Sequence, residues 1–247
     1  MIKKIKAIIR ENRENQSYIK KNQDYSIRLN QEIEWAHIYH DSIRGKEWLN
    51  NLPLNIGRWA GSYPFFYVLN RILNDFKPQS ILELGLGESS KFISTYLDHY
   101  LFDSEHLVIE QDENWKNSFE GNFKLSQRTQ VMVCPLKKVT VNGFETNSYQ
   151  NIETEVNRKF DVYVVDGPIG TLNYSRYDIL KIVQILNNED QFIIIVDDYN
   201  RSGERETVVD LLKLLASKGI KVFTNCYNGN KSILVIATEN YKYSISF

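Results

Sequence analysis

The chain has 247 residues, 42% hydrophobic and 25% charged, enough to bury the core of one large α/β domain with an appended arm. Lys and Arg number 30 against 31 Asp and Glu, so the net charge of -1 gives no global reason to expect a nucleic-acid partner. Cys134 and Cys226 lie far apart and form no CxxC pair, which argues against a disulfide framework and a structural zinc site.

The opening "MIKKIKAIIRENRENQSYIKKNQDYSIRLNQEIEWAH" contains neither Gly nor Pro, and Ile2, Ile5, Ile8 and Ile9 recur at helical spacing among Lys and Arg. Residues 1–50 therefore read as an N-terminal helical arm of one or two amphipathic helices, covering the main domain or a dimer mate. "NNLPLNIG" punctuates the chain through Pro53 and Gly57, and "SYPFFYVLNRILNDFKP" reads as a helix with an apolar stripe, stopped by Pro78. Residues 51–247 form the second unit. The longest apolar run, Phe192 to Val196, is far too short to span a bilayer, and no signal-peptide pattern is present, so the expected location is the cytoplasm.

From Ser80 onward, apolar strand candidates alternate with amphipathic stretches: "SILEL", "HLVIE", "QVMVC", "FDVYVVD", "QFIIIVD", "IKVFT" and "SILVIAT". Nearly continuous β-branched runs between helices predict a mainly parallel sheet covered on both faces, with ligands beyond the carboxyl ends of the strands. Acids and glycines occur there: Glu83 to Gly87, Glu110, Asp166 to Pro168, and Asp197 to Arg201.

In "ILELGLGESS", Gly85 and Gly87 allow a sharp turn and close backbone approach, and Glu88, Ser89 and Ser90 begin a helix whose free N–H groups face that turn. A dinucleotide fingerprint would place a third glycine where Ser90 stands. Glu83 at the strand end could meet a ligand's ammonium or polar groups, and Glu110, closing the next strand, is placed for both hydroxyls of a ribose.

With "VIEQD", the "ELGLGES" segment resembles the cofactor-binding motifs of class I S-adenosylmethionine-dependent methyltransferases. The strand series from about Ser80 to Thr238 is similar to their seven-stranded Rossmann-like core with helices on both faces. The resemblance implies S-adenosyl-L-methionine as cofactor, with cofactor-binding roles for Glu83, Gly85, Gly87, Ser89, Glu110 and Asp166, and the class I methyltransferase domain on residues 51–247.

"FDVYVVDGPIG" ends in Asp166, and "QFIIIVDDYNRSGERE" carries Asp197 and Asp198. Carboxylates converging from adjacent strand tips need a cation, a shared proton or a hydroxyl to offset their repulsion. "VDDY" resembles metal-dependent sugar O-methyltransferases of the macrocin O-methyltransferase family and, more loosely, catechol O-methyltransferase. That likeness implies Mg²⁺ held by Asp166, Asp197 and Asp198 and gripping two neighbouring acceptor oxygens; the family's usual Asp-Gly-Asp is Asp166-Gly167-Pro168 here, so one acid is absent. "VVDGPIG" and "DDYNRSGERE" are also similar to short segments of plant glucuronoxylan 4-O-methyltransferases, which implies that Arg176, Arg201 and Arg205 offer forked donors to a carboxylate or sugar hydroxyls.

The expected activity is methyl transfer to a hydroxyl of a sugar, glycan precursor or similar small molecule, with Asp166, Asp198 and Arg201 as catalytic candidates and Asp166 acting as base or metal ligand. A nicotinamide-dependent oxidoreductase and a catalytically silent scaffold are the alternatives. His37 and His40 lack a third ligand and read as ordinary arm residues, Phe65 and Phe66 as core, and Trp59 and Tyr63 as aromatic faces for a pocket.

Overall fold

Four- to six-residue runs of Ile, Val and Leu are too short for stable helices and too apolar for solvent, so they pair with one another and are covered on both sides. The computed structural model describes residues 2–57 and 59–247. The side chains of residues 2–8, and with them Ile2, Ile5 and Ile8 of the amino-terminal stripe, lie outside the described residues.

In chain order the elements are α1 (Ile2–Ser42), α2 (Glu47–Asn50), α3 (Tyr63–Phe76), β1 (Ser80–Leu84), α4 (Glu88–His99), β2 (Glu105–Glu110), α5 (Glu113–Asn122) and β3 (Thr129–Val133). Then follow β4 (Leu136–Val141), β5 (Phe144–Tyr149), α6 (Ile152–Glu155), β6 (Val162–Val165), α7 (Asp178–Ile182), β7 (Ile193–Val196), α8 (Ser202–Ser217), β8 (Phe223–Asn228) and β9 (Ser232–Ala237). Seven strands form one Rossmann-like sheet in the order β3-β2-β1-β6-β7-β9-β8. The first five in that order run parallel; β9 is antiparallel to both β7 and β8. Strand order reverses beside β1, so the carboxyl tips of β1, β2, β6 and β7 share the edge where an α/β sheet binds its ligand.

Alternation along the strands separates two cores. Leu82, Leu84, Tyr163, Val165, Ile194 and Val196 face α7 and α8, where Ile179, Val208 and Leu211 close the layer. Ile81, Val162, Val164, Ile193 and Ile195 face the other way, onto Phe65, Phe66, Leu69, Phe92 and Tyr96 of α3 and α4.

The arm is a single helix of 41 residues in α1. Residues 9–30 are exposed throughout, and contact with the domain begins at its carboxyl end. There Tyr39 and Ile43 are buried, Trp35 Nε1 donates to Asn228 O at 2.9 Å, and Glu32 accepts from the backbone N–H groups of Tyr63 and Asn230, each at 2.8 Å. Tyr39, Ile43 and Leu49 share one core with Phe66 and Leu69, each such buried side chain being worth about 1.5–3 kcal/mol. Deleting residues 1–30 is therefore expected to leave the melting temperature nearly unchanged, whereas deleting 1–51 abolishes cooperative melting. Calorimetric scans of the two truncations check this, and an equal loss in both would contradict it.

Among the described residues no helix is long and apolar enough to cross a membrane.

Candidate active site at the strand tips

Beyond β1 the backbone turns through Gly85 at φ +101°, a conformation that L side chains rarely adopt. Gly85 N–H donates to Ile109 O at 2.8 Å, and a Cβ at Gly85 would lie 3.3 Å from the backbone of Asp166 and Gly167. Gly85 thus lets the tips of β1, β2 and β6 close up. Gly87 is different: it is extended, caps α4, and a Cβ there would meet nothing within 4 Å. The space in front of Gly87 is open, and the amino terminus of the twelve-residue α4 stands beside it.

The two glutamates near this turn hold it in shape. Glu83 is fully buried; Ser89 and Ser90 hydroxyls donate to its carboxylate, the latter at 2.7 Å, and His106 Nε2 lies 3.0 Å away. Its oxygens face α4 and pin the first turn of that helix to β1. Glu110 accepts from Leu86 N–H at 3.0 Å with one oxygen and from Gln111 and Asp112 N–H at 2.7 and 2.9 Å with the other. It joins the turn after β1 to the turn after β2. Trp115 closes the same corner, its Nε1 donating to Leu86 O at 2.8 Å while the indole stays about half exposed.

At the neighbouring tips of β6 and β7, Asp166, Asp197 and Asp198 come together, with oxygens within 4.8 Å of one another. Three cations of the chain meet them. Arg176 Nη2 bridges Asp166 Oδ1 at 2.9 Å and Asp198 Oδ2 at 2.7 Å, while its Nη1 donates to Asp197 O at 2.9 Å and Val165 O at 3.3 Å. Lys231 Nζ lies 3.3 Å from Asp198 Oδ1 and 3.6 Å from Asp197 Oδ2, and donates to Ala60 O at 3.0 Å. Arg201 Nη1 reaches Asp198 Oδ2 at 3.0 Å. Glu204, buried, completes the group at 3.8 Å from Arg176 Nε and 3.9 Å from Arg201 Nη1.

Arg176 is neither solvated nor free for a ligand: it is 4% exposed, and left-handed backbone at Arg176 and Asp198 turns the two side chains toward each other. Of the three arginines singled out in the sequence, Arg201 is the one that both touches the acids and keeps about half its side-chain surface, 48%. Arg205 is exposed and donates from Nε to Tyr199 O. Trp59 is 96% exposed, and Tyr63 packs on Tyr39 and His40.

The electrostatics split the acids. Burial raises Asp166, with Arg176 opposing and Asp197 adding, and its carboxyl is pushed up to about 8. Its side chain keeps 23% of its surface, so a proton can leave to the open side. Burial likewise raises Asp197 against the pull of Lys231. For Asp198 burial is outweighed by Arg176, then Lys231 and Arg201, which hold it below the usual carboxylate range. Two neighbouring acids driven in opposite directions are the pattern of an acid–base pair.

The segment between β6 and α7 is held from the side by a hairpin. Strands β4 and β5 pair antiparallel across a two-residue turn, Asn142-Gly143, with φ +50° and +87°. From the hairpin, Thr146 Oγ1 donates to Tyr174 O at 2.9 Å, Asn147 Nδ2 donates to Ile169 O at 2.8 Å, and Phe144 packs on Tyr174. These contacts fix the loop that delivers Arg176.

The sequence matches no family model and no curated protein. Among solved structures, the chain is similar to an O-methyltransferase from Bacillus cereus in complex with S-adenosylhomocysteine (13% identity, 85% of this chain and 91% of that one, TM-score 0.47). It is also similar to an O-methyltransferase of tomaymycin synthesis from Streptomyces achromogenes in complex with S-adenosylmethionine (15% identity, 83% and 89%, TM-score 0.45).

Proposed function

We propose that this chain is an S-adenosylmethionine-dependent O-methyltransferase acting on a hydroxyl of a sugar, glycan precursor or similar small molecule. The observation that carries the reading is the open cradle at Gly87, walled by the Glu110-bound turn, with a cluster of three convergent acids one strand away. Asp166 connects the two: its backbone packs against Gly85 and its carboxylate enters the cluster.

The cofactor fits these residues. The backbone from Gly85 to Gly87 would hold its amino-acid part, Glu110 its ribose through lone pairs left over from the backbone bonds, and Trp115 one flank. Glu83 and Ser89 act at one remove, by fixing the turn from beneath. When bound, S-adenosylmethionine supplies a sulfonium methyl: the acceptor oxygen gives the electron pair of the new C–O bond, the S–C pair stays on sulfur, and the hydroxyl proton leaves to a base.

Asp166 is the base of this reading, because it is partly exposed and its raised pKa matches the pH of the reaction. Asp198 stays ionised and orients Arg201, whose remaining donors face outward and would align an acceptor hydroxyl or carboxylate. The sugar class is supported by the Asp198-x-x-Arg201-x-x-Glu204 spacing, which here forms one ion-paired unit at the start of α8.

A resident Mg²⁺ does not fit. The oxygens of Asp166 and Asp198 that face each other are bridged by Arg176, and Lys231 stands over Asp197 and the other oxygen of Asp198.

Gly87→Val tests the cofactor site. The new side chain enters open space on unstrained backbone, so the fold and melting temperature should be kept. Affinity for S-adenosylhomocysteine, measured calorimetrically, should fall at least about tenfold, roughly 1.4 kcal/mol. A folded variant that binds as tightly as wild type would place the cofactor elsewhere.

A further inference from the structure

Convergent buried carboxylates call for a counter-charge, and the chain supplies it from two places distant in sequence. Arg176 comes from the loop after β6 and Lys231 from the turn that precedes β9, which enters the sheet antiparallel and so begins at the ligand end of β7. We infer that Arg176 and Lys231 take the place of a divalent cation at this strand-tip cluster, so that the site binds no metal and works without one.

Three observations support the assignment. First, the guanidinium has no free role: its Nη2 spans Asp166 and Asp198, its Nη1 binds the carbonyls of Asp197 and Val165, and its Nε faces Glu204. A planar fork with fixed partners on β6 and β7 ties the two strand tips as a bridging ion would. Secondly, among the oxygens that Arg176 leaves free, both of Asp197 and Oδ1 of Asp198 are buried without a hydrogen-bond partner, and Lys231 Nζ stands 3.6 and 3.3 Å from Asp197 Oδ2 and Asp198 Oδ1. An ion there would face a fixed ammonium held in place by Ala60 O. Thirdly, Arg176, Lys231 and Arg201 all converge on Asp198, so the acid held ionised at the centre of the cluster already faces three cations of the chain.

The inference about metal stands whether or not the chain transfers methyl groups; only its consequence for catalysis rests on the proposed function. The test is a Mn²⁺ titration of the full chain, followed by the electron paramagnetic resonance signal of the free ion, beside a calorimetric titration with S-adenosylhomocysteine. Wild type should leave Mn²⁺ free at millimolar concentration, and EDTA should not alter its methyl transfer. Arg176→Gln, or Lys231→Gln should the first variant not fold, removes a cation while keeping every carboxylate, and should gain Mn²⁺ affinity at least tenfold. Stoichiometric Mn²⁺ binding by wild type, or a folded variant that gains none, overturns the assignment. Failure to bind S-adenosylhomocysteine would instead strike at the methyltransferase reading and leave the metal result intact.

Discussion

Asp166→Asn is expected to lower methyl transfer by about 10²- to 10⁴-fold, the range for loss of a positioned general base, while cofactor binding persists. The pH profile separates this from a merely structural loss. A base must be unprotonated to accept the hydroxyl proton, and Asp166 is raised to about 8, so wild-type activity should climb with pH through that region and level off above it. In Asp166→Asn the climb should disappear. The stability effect has the opposite sign: a carboxyl raised in the folded state contributes stability below its unfolded value, and that contribution is lost as pH rises through about 8. Asp166→Asn should therefore gain melting temperature relative to wild type at pH 9 more than at pH 5. Rates that follow the wild-type profile, scaled or not, would remove Asp166 from the chemistry.

Gly167→Ala should be strongly damaging for a single added methyl group. A Cβ at Gly167 would run into the Tyr149 hydroxyl and come within 2.9 Å of Gly85 N and Leu84 C, which are backbone and cannot rotate aside. Overpacking of this kind costs about 1–3 kcal/mol, and here it would also part the tips of β1 and β6, so cofactor affinity should fall together with stability. Gly87→Val, bulkier and two residues beyond Gly85, should lose binding alone. Denaturant midpoints and S-adenosylhomocysteine affinities of the two variants check the contrast; a Gly167→Ala protein as stable as wild type would mean that the turns are not packed as described.

The sheet was legible because its information is local. Runs such as "FIIIV" have one stable environment, the middle of a covered sheet, and the expected strands appear, although "FDVYVVD" and "QFIIIVD" shorten to four residues each and "IKVFT" gives way to a strand that starts only at Phe223 and runs on to Asn228. The β4–β5 hairpin was missed. Its Lys- and Thr-rich strands do not read as buried, but Asn142-Gly143 between alternating residues is a strong hairpin signal that was available.

At the site, what the sequence showed was which carboxylates converge; what it hid was what neutralises them. Asp166, Asp197 and Asp198 follow directly from strand ends, whereas Lys231 lies 33 residues beyond Asp198 in a short turn, and only the antiparallel entry of β9 beside β7 brings it back. Glu83 illustrates the other limit. Period-two alternation places its side chain on the α4 face, not at the tip, and only the positions of Ser89, Ser90 and His106 turn that placement into a buried network.

The identity of the molecule proposed to occupy the open space at Gly87 decides the chemistry of the site. Isothermal titration of the wild-type chain with S-adenosylmethionine and, separately, with NAD⁺ addresses it directly. Saturable one-to-one binding of S-adenosylmethionine with no heat from NAD⁺ is the expected result. Binding of NAD⁺ alone, or of neither, would contradict it.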